Sequence, residues 1–502
     1  MKGITSLSLF LLIAACGSDN KNNNPDAAKA IDAAVDAPPQ TLGTPPDLAM
    51  PCTDAEADVY TLPTTLPAMD DSHRGDVFRC AKAESLSTYK IDSQITAYNT
   101  TPAMTFNDTT MVPSTTGFWS FRIAYRSERN TVGVARAEGD MAAYLLVPEH
   151  PLANAPLIVF GHGSVGVAAQ CAPTKLDLSA AAQDQDFPPM LYRLAGAGFT
   201  VIAPDYNGFS YGQTPGYFNA EDEAHSILDA TRAAAKILPS PPAKVVFVGH
   251  SQGGHAVVAA QTYAASYGMT GQLVGVAAFA PLWVSLDLFA AGATPTGGLM
   301  TSKPGDLSSI LYSMEYAYSA GELRDGAGHG VDVFATAKQA AAKDAMLGGE
   351  CYDMAKIQAL GATPGDFFDS TYVNAVGNAC ALGGSCTDPL STKWKAIWQN
   401  DRPALDPNGA PLLILNGGAD TFVIPGRANC AKKKFTADLA SGTPTTTVKY
   451  CYDDNAGHRD LVRDGLADYT VKWVAAQAGA GADPGACTAL PVVQCATPPM
   501  DY

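Results

Sequence analysis

The chain predicts an α/β fold: a mostly parallel sheet with helices on both faces and an inserted, mainly helical cap. Three observations carry that prediction. Short apolar runs alternate with longer stretches of helical spacing, the pattern of parallel strands joined by crossover helices. One run, Val245–Val248, passes through Gly249-His250-Ser251-Gln252-Gly253 into an Ala/Val-rich stretch that ends near Tyr267, so a strand meets a helix across a tight turn. Finally, the segment 290–404 is far longer than the few residues that connect neighbouring elements of such a sheet, which makes it an inserted subdomain.

Taken in order, Leu157–Phe160 reads as a buried strand that runs into Gly161-His162-Gly163-Ser164. A helical stretch, Met190–Ala197, leads to a second strand, Phe199–Pro204, followed by Asp205-Tyr206-Asn207-Gly208. Residues 220–238 then turn helical. Asn219 is a suitable N-cap, Glu221, Asp222 and Glu223 complement the dipole of the first turn, and Pro239 stops the helix. Ile227, Ala230, Ala234 and Ile237 fall on one face, the face expected in the core. The strand at Val245–Val248, the helix Gln252–Tyr267 and a further strand, Leu273–Ala280, complete this half, and Pro411–Leu415 resumes the sheet after the insertion.

The Gly-x-Ser-x-Gly turn marks Ser251 as a candidate nucleophile, because such a turn exposes a serine hydroxyl at the top of a sheet. Serine needs a base to take its proton and an acid to orient that base; in this architecture the chain order is serine, acid, histidine. Of eight histidines, His458 alone lies beyond residue 400. The acid belongs on a loop after a buried strand, and Leu412-Leu413-Ile414-Leu415-Asn416-Gly417-Gly418-Ala419-Asp420 supplies it in Asp420. Asp401, Asp406, Asp453, Asp454 and Asp460 compete on residue type, but none follows a comparable apolar run. Negative charge developing on the former carbonyl oxygen calls for two N–H donors. These are assigned to Gln252, at the start of the helix, and to Ser164, after the His-Gly turn; losing one such donor costs about 3 kcal/mol of transition-state stabilisation. His250 and His255 flank the elbow, but neither follows the acid, and both are assigned to core packing.

Pro204-Asp205-Tyr206-Asn207-Gly208, Leu228-Asp229-Ala230-Thr231-Arg232-Ala233-Ala234 and Gly249-His250-Ser251-Gln252-Gly253-Gly254 together resemble the secretory lipase family of α/β-hydrolases. Arg74-Gly75-Asp76-Val77-Phe78-Arg79 resembles a short N-terminal motif of that family, and Ala143-Tyr144-Leu145-Leu146-Val147-Pro148 its early core strand. The resemblance spans about residues 70–475 and implies carboxylic-ester hydrolysis through an acyl-enzyme, with Ser251, Asp420 and His458 as the triad. Many relatives have tyrosine at the position of His250, and the region from about 290 to 404 matches nothing in the family pattern. That region contains Leu311-Tyr312-Ser313-Met314-Glu315-Tyr316-Ala317-Tyr318, a composition suited to covering an apolar acyl pocket.

The expected organisation is a signal peptide over 1–15, a disordered tether over 16–50, the catalytic domain over 51–289 and 405–480, the cap over 290–404 and a tail over 481–502. Leu12-Ile13-Ala14-Ala15-Cys16 resembles a bacterial lipobox, which would acylate Cys16 and tether the protein to a membrane, the expected destination being the outer membrane given Gly17 rather than aspartate; plain secretion is the other outcome. Ten further cysteines form an even set fit for an oxidising compartment. Proximity pairs Cys52 with Cys80, Cys380 with Cys386, Cys430 with Cys451 and Cys487 with Cys495, and elimination pairs Cys171 with Cys351. A net charge of −17 argues against nucleic acid and against electrostatic adhesion to anionic membranes. No cofactor or metal motif is present in the sequence. The expected partner is an acylglycerol or other lipid-like ester. A serine peptidase or acyltransferase would use the same triad, and a surface-binding protein would have no need of it.

Overall fold

The computed structural model describes residues 42–100, 111–180, 187–284, 288–293, 304–376, 387–440, 443–463, 465–493 and 495. The expected signal peptide over 1–15, Cys16, the expected tether as far as residue 41, and the expected pair Cys380 and Cys386 lie outside these residues.

A short helix α1 (Glu56–Val59) precedes β1 (Val77–Leu86), α2 (Thr88–Asn99), β2 (Phe118–Thr131), β3 (Val134–Pro148) and β4 (Leu157–Gly161). Then come α3 (Pro188–Gly196), β5 (Val201–Pro204), α4 (Ala220–Ile237), β6 (Lys244–His250), α5 (Gln252–Tyr267) and β7 (Gln272–Phe279). Between β7 and the next strand lie α6 (Leu288–Ala293), α7 (Pro304–Arg324), α8 (Gln339–Leu347), α9 (Met354–Ala359), α10 (Ser370–Ala375) and α11 (Pro389–Asp401). The chain closes with β8 (Leu412–Gly417), α12 (Pro425–Asp438), β9 (Val448–Asp453) and α13 (Gly465–Ala478).

The nine strands form one sheet in the order β1-β2-β3-β5-β4-β6-β7-β8-β9. β1, β2 and β3 pair antiparallel with their neighbours, and the six strands from β5 to β9 run parallel. Side chains alternate across the sheet as a period of two demands. Ile158, Phe160, Val246 and Val248 enter the core beneath α2, α3, α13 and the insertion, while Leu157, Val159, Val245 and Phe247 enter the core beneath α4, α5 and α12. Helices thus cover both faces, the α/β-hydrolase arrangement.

The expected helix over 220–238 runs from Ala220 to Ile237, and Asn219 caps it by accepting from the Asp222 N–H at 3.3 Å. Ile227, Ala230, Ala234 and Ile237 are all fully buried. The antiparallel strands β1 and β2 and the edge strand β9 are additions to the sequence reading. β2 carries Arg122, Arg126 and Arg129, each buried and paired with an acid: Arg122 with Glu84 at 2.7 Å, Arg126 with Asp140 at 3.3 Å and Arg129 with Asp222 at 3.0 Å. Paired charges replace the apolar alternation that would have announced the strand.

Two expected disulfides are present, Cys52–Cys80 and Cys171–Cys351. The other two pairings are corrected: Cys430 bonds Cys495, not Cys451, and Cys451 bonds Cys487. The reason is the path of the C-terminal segment, which doubles back along the exposed side of β9. Tyr452 N–H donates to the Thr488 carbonyl at 2.9 Å, and Asn429 Nδ2 on α12 donates to the Pro491 carbonyl at 3.0 Å. The tail covers an edge strand that would otherwise be open to pairing, and neighbours in sequence lose to neighbours across that edge. Among the described residues no helix is long and apolar enough to cross a membrane.

Candidate active site

β6 runs through Gly249 and His250 to Ser251, where the backbone turns sharply into α5. Ser251 has φ 56° and ψ −114°, a conformation that L-residues rarely adopt, and its N–H donates to the Phe279 carbonyl at 2.9 Å. The flanking glycines answer to close approach: a Cβ on Gly249 would strike the Gly253 carbonyl, and one on Gly253 would strike the Gly161 carbonyl of β4. Gly161 and Gly249 are register partners in the parallel pair of β4 and β6. The His-Gly turn therefore leaves the sheet beside the elbow, and a Cβ on Gly163 would sit 3.5 Å from the Ser251 Cβ.

That turn is held from behind. Tyr206 Oη donates to the His162 carbonyl at 2.9 Å, with the two rings 4.4 Å apart. Burial pushes the His162 pKa down to about 4, against hydrogen bonds to the Gly163 and Asp205 carbonyls, so its ring is neutral at ordinary pH. Ser164, at the end of the turn, shares a 2.7 Å hydrogen bond between its Oγ and Tyr217 Oη.

Asp420 follows β8 on a buried loop. Its Oδ2 lies 2.8 Å from His458 Nδ1, and its Oδ1 accepts from the N–H groups of Phe422 and Val423, each at 2.8 Å. Burial alone would raise the pKa of this carboxyl, but the His458 charge and these hydrogen bonds outweigh it and hold Asp420 below the usual carboxylate range. The structure brings the predicted acid and base together. The competing acids stand elsewhere: Asp460 accepts from Gly457 N–H at 2.7 Å, Asp453 from Asn455 N–H at 2.8 Å, and Asp401 meets Arg324 and Tyr316.

His250 and His255 are fully buried, as core packing requires, yet both are also hydrogen-bonded. His250 Nε2 donates to the His458 carbonyl at 2.9 Å, and the two rings are 4.7 Å apart, which fixes the His458 backbone against the elbow. His255 meets Glu223 and the Asp401 carbonyl. Neither role was visible in sequence, because each partner lies well over a hundred residues away or on another helix; an acid among the buried positions of α4 was the one available signal.

Aromatic rings stand beside the His458–Asp420 pair. Phe422 is 5.1 Å from the His458 ring and 6.2 Å from Tyr312 of α7, and Tyr312 is 6.5 Å from Tyr217. Tyr217 in turn lies 6.3 Å from Phe289 of α6. Helices between β7 and β8 therefore contribute aromatic rings to the cluster beside the His458–Asp420 pair. Among the described residues no group of three or more His, Cys, Asp or Glu side chains is placed to hold a metal ion.

Comparison with known proteins bears on the family resemblance and the fold. Residues 174–283 match the family described as Secretory lipase. Lipase A of Moesziomyces aphidis is 30% identical over 164 residues, covering 31% of this chain and 34% of that protein, so the match spans about a third of that relative's length. Candida antarctica lipase A in its closed state superposes with a TM-score of 0.58 at 18% identity, covering 90% of this chain and 93% of the other. The rice cell wall degrading esterase LipA from Xanthomonas oryzae gives 0.55 at 16% identity, covering 82% and 97%. These structural likenesses speak to the fold. Residues 174–283, a segment that includes α3 and β7, are similar to the secretory lipases, and the described sheet as a whole has the α/β-hydrolase fold.

Proposed function

We propose that the protein hydrolyses carboxylic esters with an apolar acyl group through an acyl-enzyme on Ser251. The observation that carries this reading is the strained elbow at Ser251 with a bonded His458–Asp420 pair beside it. In this mechanism His458 takes the Ser251 proton during attack and returns it to the leaving alkoxide, while Asp420 fixes the ring tautomer and stabilises the imidazolium. The Gln252 N–H, at the positive end of α5, and the N–H of Ser164 receive the oxyanion. Water then attacks the acyl-enzyme by the reverse proton path. The insertion over 290–404 acts as a cap, and the Phe422–Tyr312–Tyr217 wall suits an acyl chain better than a peptide backbone, which would need polar partners.

The reading places the protein outside the cytoplasm, where disulfides persist; the four described here support that compartment. It includes a lipid anchor at Cys16, on the lipobox pattern alone. Purified protein lacking residues 1–48 should hydrolyse short p-nitrophenyl esters, and Ser251→Ala should abolish turnover. Equal rates in the variant would refute the nucleophile assignment.

A further inference from the structure

The first turn of α5 is the part of the elbow that nothing inside the helix holds. The N–H groups of Gln252, Gly253 and Gly254 precede the first internal helical bond, from the His255 N–H to the Ser251 carbonyl at 3.0 Å. Two of those three residues are glycines, with no side chain to anchor them. The turn is anchored instead from outside, through the side chains of Gln252 and His255.

Gln252 and His255 are three residues apart and so share a helix face. Both meet Glu223, a fully buried side chain on the neighbouring helix α4. Gln252 Nε2 donates to Oε1 at 2.9 Å, and His255 Nδ1 lies 2.7 Å from Oε2. Phe218 N–H adds a second bond to Oε1 at 2.9 Å. The other ring nitrogen of His255, Nε2, lies 2.6 Å from the Asp401 carbonyl. A carbonyl accepts and cannot donate, so Nε2 carries a proton. Two donors on Oε1 favour an ionised Glu223, so Nδ1 carries a proton as well and the ring is an imidazolium. Burial works against both charges and shifts the Glu223 pKa up, but Glu223 and Asp401 outweigh its effect on the ring and raise the ring's pKa as well.

The contacts continue into the insertion. Asp401 ends α11; its carboxylate accepts from Tyr316 Oη at 2.8 Å and pairs with Arg324, both residues of α7. The same α7 carries Tyr312, which stands against Phe422 beside the triad.

We infer that Glu223 is a positioning residue of the elbow, fixing the first turn of α5 through Gln252 and His255 and setting that turn against α7 through Asp401. This rests on the reading of Ser251 as nucleophile and of the Gln252 N–H as an oxyanion donor. One carboxylate gripping two side chains of a single turn restrains both its translation and its rotation, so the Gln252 N–H stays aimed at the developing charge. Glu223 itself need not touch substrate. Its loss therefore lowers the rate of the chemical step rather than the binding of ester.

The test compares wild type, Glu223→Gln, Gln252→Met and Ser251→Ala on p-nitrophenyl butyrate, with competent sites counted by a p-nitrophenyl phosphonate. The charge of His255 is read by NMR of protein labelled with 15N-histidine. Glu223→Gln is expected to lower kcat per titrated site by about ten- to a hundredfold with KM unchanged, the range that misplacing a catalytic group produces. The His255 ring nitrogens should move from imidazolium to neutral shifts. Gln252→Met keeps the backbone N–H and the ion pair; it should lower kcat per site while leaving His255 cationic, and it carries the test if Glu223→Gln does not fold. A merely structural Glu223 would reduce the number of titratable sites and leave kcat per site unchanged. That result in both variants, with turnover lost in Ser251→Ala, overturns the positioning role alone. Unchanged turnover in Ser251→Ala overturns the ester-hydrolysis reading and the inference with it.

Discussion

Asp420 divides its two oxygens between two tasks. Oδ2 faces His458 Nδ1, and Oδ1 is fixed by the Phe422 and Val423 N–H groups, so the carboxylate cannot rotate away from the ring without abandoning two hydrogen bonds. His458 is restrained at a second point, its carbonyl, by His250. Replacing Asp420 with Asn retains the shape but presents an amide that can donate to Nδ1, which favours the wrong ring tautomer. We expect Asp420→Asn to lower kcat by about 10³- to 10⁴-fold, as loss of the orienting charge does in triads of this kind. Ser251 should still be labelled, slowly, by a phosphonate. Because Asp420 is held below the usual carboxylate range, it stays ionised while His458 titrates, and the acid limb of kcat/KM should report the histidine. A variant within tenfold of wild type would show that some other acid orients His458.

Elements differ in how much of themselves they display in sequence. The parallel strands β4, β6 and β8 are buried on both faces, so each is an unbroken apolar run, and the helices between them keep regular spacing; the readings of the elbow and Asp420 followed from those runs, and that of His458 from its place in the chain after the acid. The antiparallel strand β2 stayed hidden because its buried arginines read as surface, and β1 because Arg79, Lys82 and Glu84 break any apolar run. The pairings of Cys430 and Cys451 were misread because the fold-back of the tail along β9 leaves no local trace. Contacts such as Glu223 to His255 depend on which helix faces meet, which spacing along one helix cannot reveal. The bridge Cys171–Cys351 was readable as a count of cysteines, and its position gives it a consequence at this scale. It joins the loop after β4 to the segment between α8 and α9, closing a separation of 180 residues. A Cys171→Ser/Cys351→Ser double variant should lose about 2–4 kcal/mol in urea unfolding and should be cut faster by trypsin within residues 304–376. Unchanged stability and proteolysis would mean that packing alone holds the insertion in place.

Across the whole molecule, the insertion and the sheet meet at groups whose charge depends on pH. Glu315 lies on α7, is 1% exposed, and faces the loop after β4, where its carboxyl accepts from the Val167 N–H. Burial pushes its pKa up to about 8, with the Val167 bond pulling the other way, so at neutral pH the folded protein keeps a proton there that an unfolded glutamate would release above about 4.5. A raised pKa means that the contribution of this group to stability is fully present below the ordinary value and is lost as pH rises through the folded one. Asp140 and Asp205, each raised to about 6 by burial, act in the same direction but finish earlier. His162, lowered to about 4, acts oppositely: its contribution is lost as pH falls from 6.5. Glu315→Gln removes one term from this sum, since an amide is neutral throughout. The difference in unfolding free energy between wild type and Glu315→Gln should therefore be steady near pH 4 and shift against wild type up to about pH 8–9, measured by urea titration at half-unit steps. Tyr217 lies close enough to Glu315 to be affected by its charge and is bonded to Ser164, so ionising Glu315 loads the wall of the site as well as the join. Turnover per titrated site should fall in wild type as pH rises through about 8, where Glu315 ionises in the folded protein, and hold level in Glu315→Gln. Parallel stability curves for the two proteins would show that Glu315 ionises in the folded state as it does in the unfolded chain.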